Sequence, residues 1–97
     1  MINEELKKTG ESFVASSTGW TFDITDKDYG VYSDETATAR VFMDGAGTWF
    51  SPCYVWIKRM NVEPKDATAD ISPERIELIT DRIRRALKLL KIKFREQ

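Results

Sequence analysis

The 97-residue chain has no histidine, one cysteine, three prolines and five glycines, and no long apolar run. Each scarcity excludes something. Without histidine there is no imidazole for general acid–base chemistry, no Ser-His or Cys-His nucleophile and none of the usual zinc ligand sets. Cys53 cannot form an internal disulfide, whereas small secreted domains usually carry several, so it reads as a small buried hydrophobe. The lack of an 18-residue apolar stretch excludes a membrane-spanning helix. The first residues, Met1-Ile2-Asn3-Glu4-Glu5-Leu6-Lys7-Lys8, have acids where a signal peptide has bases and lack its apolar core. The expectation is a cytoplasmic protein of one domain, since this length does not supply two cores.

What is present is a real core and an uneven charge distribution. Hydrophobic residues make up 41% and aromatics 11%, which argues against disorder. Sixteen acids against fifteen bases give a net charge of −1, but residues 1–70 hold twelve acids and seven bases, a balance of −5. Residues 71–97 hold four acids and eight bases, a balance of +4.

Patterning follows the same division. Asn3 to Lys8 reads as a short helix with Asn3 as N-cap and Gly10 beyond its end. Phe13 to Ser17 is a strand, Thr18-Gly19 a turn, and Trp20, Phe22 and Ile24 alternate with Thr21, Asp23 and Thr25 as a half-buried strand. Asp26-Lys27-Asp28 is a turn into a strand at Tyr29–Ser33, and Asp34-Glu35 marks the next turn. From Thr36 to Asp44, Ala37, Ala39, Val41 and Met43 share one face, with Thr38, Arg40 and Phe42 on the other. Gly45-Ala46-Gly47 is a reversal. Cys53 to Met60 alternates with bulk on both sides, Tyr54 and Trp56 opposing Cys53, Val55 and Ile57, so it reads as a central strand covered on both faces, with these aromatics in the core. Asn61 to Asp70, with Pro64, reads as a loop.

Ser72-Pro73-Glu74 then announces a helix: N-cap, proline at the first turn and an early acid. Ile76, Ile79, Ile83, Leu87 and Leu90 form one apolar stripe, with Arg75, Arg82, Arg85 and Lys88 placed opposite as a solvated back. Lys91 to Arg95 alternates as a closing strand. The expected fold is α+β: an antiparallel sheet of about five to six strands, one long C-terminal helix on one face and a short closing strand.

Two clusters are candidates for function. Asp23, Asp26, Asp28, Asp34, Glu35 and Asp44 lie in or beside turns, where aspartate is common because it caps local amides. If they converge, they form a negative patch that attracts a basic partner, with Tyr29, Tyr32 and Trp49 as aromatic anchors. The acids at 23, 26 and 28 lack the glycine and glutamate of an EF-hand, so no metal or other cofactor is expected. The second cluster, Arg82, Arg84, Arg85, Lys88, Lys91, Lys93 and Arg95, suits a helix end electrostatically and could alternatively touch phosphates. A dedicated nucleic-acid binder is normally basic overall, which this chain is not. No catalytic constellation is recognisable, so an enzyme is not expected.

The C-terminal half adds a resemblance. Tyr54-Val55-Trp56-Ile57-Lys58-Arg59, a loop with Glu63-Pro64, Ile71-Ser72-Pro73-Glu74-Arg75 opening a helix, and Ile92-Lys93-Phe94 are similar in layout, over residues 53–95, to small bacterial immunity proteins of polymorphic toxin and contact-dependent growth inhibition systems. The Trp-Glu-Pro-Pro-like element of one such family is present in the looser form of Trp56 and Glu63-Pro64. The resemblance implies a cytosolic protein that binds and neutralises a cognate toxin, often a nuclease. The same electrostatics would serve a phage-encoded inhibitor of a host defence complex.

Overall fold

The computed structural model describes residues 4–10, 12–26, 28–48 and 50–97, with Asp26 described by its backbone alone. It is α+β: among the described residues, eight strands form one curled, mostly antiparallel sheet, slightly more strands than expected, with one long helix. The strands are β1 (Leu6–Thr9), β2 (Phe13–Ser16), β3 (Thr21–Asp26), β4 (Tyr29–Ser33), β5 (Ala37–Asp44), β6 (Cys53–Val55), β7 (Asn61–Pro64) and β8 (Phe94–Glu96), and the helix is α1 (Pro73–Leu89). β1 to β5 form a consecutive meander.

The N-terminal helix expected at residues 3–8 is a correction: the described part of that segment leads into strand β1, and Asn3 lies outside the described residues. A helix under two turns long has no cooperative stability of its own. The segment instead pairs with β2, Leu6 opposite Ser16 and Thr9 opposite Phe13, and Leu6 packs against the core.

β5 organises the sheet. Ala37, Ala39, Val41 and Met43 face inward and are buried, as their alternation predicts. One edge of β5 pairs with β4 along five positions. Its other edge is shared by β6 and β7. The single strand expected from Cys53 to Met60 therefore does not form. β6 stops at Val55, a 3-10 turn spans Ile57–Arg59, and β7 resumes where a loop was expected. Met43 pairs with Val55, yet Arg40 pairs with Asn61, where unbroken register would have met Lys58. The turn thus absorbs three residues. β6 does lie inside the sheet, with β8 parallel to it on the far side. Only one of its faces is covered, however: Cys53 and Val55 are buried while Tyr54 is exposed.

α1 covers the inner face, and its ends are built by local chemistry. Ser72 Oγ accepts the Arg75 N–H at 3.2 Å, and Pro73 occupies the first turn. At the other end the Ile92 N–H reaches the Leu87 carbonyl and the Lys91 N–H the Lys88 carbonyl. This is a Schellman closure, with Lys91 at φ 60° in the position glycine normally takes. Ile79, Ile83, Ala86 and Leu87 are fully buried against Val14, Trp20, Phe22, Val41 and Val55. Each large aliphatic side chain so buried stabilises the fold by about 2 kcal/mol.

Two substitutions should move stability in opposite directions. Lys91→Gly removes the left-handed strain and should stabilise by about 1 kcal/mol in urea unfolding. Gly30→Ala would place a Cβ 2.4 Å from the Phe22 ring and should destabilise by about 2 kcal/mol.

Candidate partner-binding surface

The two charged halves of the chain meet inside the molecule. Asp34 is buried, 5% exposed. Its Oδ1 accepts the Thr36 and Ala37 N–H groups at 2.7 and 2.8 Å and the Thr36 hydroxyl at 2.9 Å. Its Oδ2 accepts from the Tyr32 hydroxyl and from Arg75 Nη2, each at 2.6 Å. Arg82 Nη1 lies 3.6 Å from the same oxygen and donates to the Tyr32 hydroxyl oxygen at 2.8 Å. Glu4 makes the matching anchor at the other flank. Its Oε2 accepts from the Ser16 and Thr18 hydroxyls at 2.8 and 2.6 Å and from the Trp20 indole at 2.8 Å, while Oε1 accepts from Arg85.

Arg75, Arg82 and Arg85 are consequently not a solvated back. They run along one edge of α1 and turn down to the sheet beside the apolar stripe, a correction to the placement opposite it. Burial alone would raise the Glu4 carboxyl, but hydrogen bonds from Thr18, Trp20, Ser16 and Arg85 outweigh it and lower the pKa to about 2. Asp34 behaves likewise: burial opposes its charge, and the donors from Tyr32, Thr36 and Ala37 hold it well below the usual carboxylate range. Burial and donation to Asp34 push the Tyr32 hydroxyl up to about 12.

The opposite face of the sheet carries no helix among the described residues. Strand alternation places Tyr29, Val31, Arg40, Phe42 and Tyr54 there, and the Trp56 N–H bonds to the Phe42 carbonyl, continuing the row. Tyr29 pairs with Phe42, their rings edge-on with centroids 5.7 Å apart, and Phe42 lies 4.8 Å from Trp56. The Arg40 guanidinium sits 4.5 Å over the Tyr29 ring. Phe42 and Tyr54 are each 40% exposed. The result is a continuous aromatic platform across three strands. Placing Tyr54 and Trp56 in the core was incorrect; their parity, opposite to Cys53, Val55 and Ile57, is the signal that puts them here.

The anticipated acidic surface divides. Asp23 lies on this outer face, paired with Val31. Asp28 is in the β3–β4 turn, where its carbonyl accepts the Met43 N–H at 2.7 Å. Asp44, exposed, ends β5 nearby. Glu35 is exposed in the β4–β5 turn at the other end of the sheet, a strand length of about 16 Å away. Tyr32 and Asp34 face inward and are occupied by the helix arginines. The Asp26 side chain and Trp49 lie outside the described residues. Among the described residues, no three His, Cys, Asp or Glu side chains are grouped to hold a metal, and no helix is long and apolar enough to cross a membrane.

Because both anchoring carboxyls titrate lower in the folded state than in the unfolded chain, their contribution is complete at neutral pH. It is lost as pH falls through 4.5 and towards 2. Urea titrations at pH 7 and pH 3 should therefore show a marked loss at the lower pH, with Glu4→Gln reducing that loss. Asp34→Ala leaves Arg75 and Tyr32 without their acceptor and Arg82 without its counter-charge, and should cost about 3 kcal/mol at pH 7.

Compared with known proteins, the chain matches no family model, no curated protein and no solved structure.

Proposed function

We propose that this protein is a non-catalytic inhibitor that binds a partner protein through the helix-free face of its sheet, in the manner of the bacterial immunity proteins its layout resembles. The observation that carries the proposal is the row of Tyr29, Phe42 and Trp56, exposed at Phe42 and half-buried at Tyr29 and Trp56, with Arg40 stacked on one end and the exposed Tyr54 alongside. A sheet surface facing only water is normally polar. Aromatic and arginine side chains, in contrast, dominate the energetic centres of protein interfaces.

The outer acids refine the partner. Asp28 and Asp44 lie at the β3–β4 end of the aromatic row and Asp23 flanks it in line with Val31 and Arg40, so the partner brings basic groups to that border, as a nuclease toxin would. The aromatics then supply affinity, and the acids supply orientation and encounter rate. The alternative of nucleic-acid contact through α1 is weakened by the commitment of Arg82 to Asp34, Arg85 to Glu4 and Arg84 to Glu96. In this reading the protein acts in the cytoplasm of the cell that makes the toxin.

Titration of the protein against the toxin encoded by the adjacent gene tests the proposal. Toxin activity should fall to background at one equivalent. Trp56→Ala and Phe42→Ala should each weaken binding roughly 30-fold, and Asp23→Asn with Asp44→Asn should chiefly slow association and flatten its salt dependence. Toxin activity that survives a molar excess of the protein would reject the function; full inhibition by the aromatic variants would reject the surface.

A further inference from the structure

By spacing, Ile76 belongs to the apolar stripe of α1, one turn before the buried Ile79 and two before Ile83. Yet it is 39% exposed. The sheet ends at β7 beneath it, leaving an open groove of about 510 Å³ lined by Ile57, Met60, Val62, Ile76 and Thr80, with Lys58 at its rim.

The backbone of β7 is unfinished on the same side. The Lys65 N–H donates to the Thr36 carbonyl at 2.9 Å, in the register that pairs Ala37 with Pro64. In an antiparallel ladder the hydrogen-bonded pairs alternate, so Glu63 and Asn61 also turn their amides to β5. The N–H and C=O of Val62 and the C=O of Pro64 therefore point away from it. Among the described residues no strand pairs with that side of β7. An uncovered stripe residue and an unpaired strand edge thus converge on one lane.

We infer that this lane accepts an extended segment of a partner protein, added as a further strand beside β7. Its backbone bonds to Val62 and Pro64, and apolar side chains at alternate positions cover Val62, Met60 and Ile76. Charge favours this occupant over a second copy of the chain. Antiparallel pairing of β7 with itself about Val62 would set Arg59 opposite Lys65 and Lys58 opposite Asp66, a repulsion and an attraction that cancel, whereas a segment with an acidic end facing Lys58 and Arg59 gains both attractions. The site is separate from the outer-face aromatics and does not depend on the reading given to them.

The test uses the full chain, ¹⁵N-labelled, and a short synthetic peptide with valine at alternate positions, threonine between them and glutamate at each end. The peptide should shift the Val62 and Ile76 amide signals saturably and slow hydrogen exchange at Val62 at least about tenfold. Val62→Pro, which removes the outward N–H, and Ile76→Glu, at an already exposed helix position, should each abolish the shifts. Phe42→Ala should leave them unchanged, which separates this site from the aromatic face. Absent shifts at millimolar peptide, shifts mapping elsewhere, or an equal response to a scrambled peptide would overturn the inference. So would a free protein that sediments as a dimer with Val62 already protected, because the lane would then belong to a second copy.

Discussion

The Asp34 carboxylate is the contact on which the rest of the arrangement depends. It closes the β4–β5 turn through three donors from its own neighbourhood, then reaches across 41 residues of sequence to Arg75. One group therefore shapes a hairpin and holds a helix over it. Glu4 repeats the device at the other flank, tying β1, the β2–β3 turn, the Trp20 indole and Arg85 to a single carboxylate. Burying such pairs contributes little net stability, since desolvation offsets most of the attraction, and Arg75 and Arg82 each leave a buried Nε without an acceptor. What the pairs do supply is registry. An apolar stripe alone would let α1 slide or rotate on the sheet, but only one placement brings Arg75 and Arg82 to Asp34 while Arg85 reaches Glu4.

The parts of this fold that were legible in the sequence are those decided locally. Tyr29–Ser33, the alternation from Ala37 to Met43, and the Ser72-Pro73 helix start depend on neighbours within a few residues, and all appear where the pattern places them. The parts that were not legible are decided at a distance. Leu6 becomes a strand residue because β2 is available to pair with it. Arg75, Arg82 and Arg85 read as solvated because nothing in a helical wheel shows that a carboxylate waits beside the stripe. Of the anticipated surface, Asp28, Asp44 and Tyr29 keep company at one end of the sheet and Asp23 lies midway along it, while Tyr32 and Asp34 were drawn inward. Tyr54 and Trp56 were hidden by the habit of assigning bulky aromatics to a core, while Phe42 was placed on the outer face without being read as part of a binding surface.

The two faces of the sheet consequently have different duties. The inner face spends its aliphatic and aromatic residues on α1 and is complete except where Ile76 overhangs β7. The outer face keeps four aromatic rings in partial contact with water, three of them, Tyr29, Phe42 and Trp56, steadied by one another and by Arg40. Part of the charge asymmetry of the chain seats the helix, through Asp34 and Glu4 on Arg75, Arg82 and Arg85. The other acids of the strand half stay outside that arrangement.

The 3-10 turn at Ile57–Arg59 has a consequence for how this chain can vary. Before it, odd-numbered residues point inward: Cys53, Val55 and Ile57. After it, even-numbered residues do: Val62 and Pro64. The turn acts as a phase shifter within one lane of the sheet, which is why a period-two reading dissolves there and β7 passes for a loop. Its composition is then less constrained than its length. Gaining or losing a single residue would invert β7, sending Val62 to water and Glu63 into the core, whereas a change by two residues would preserve the phase.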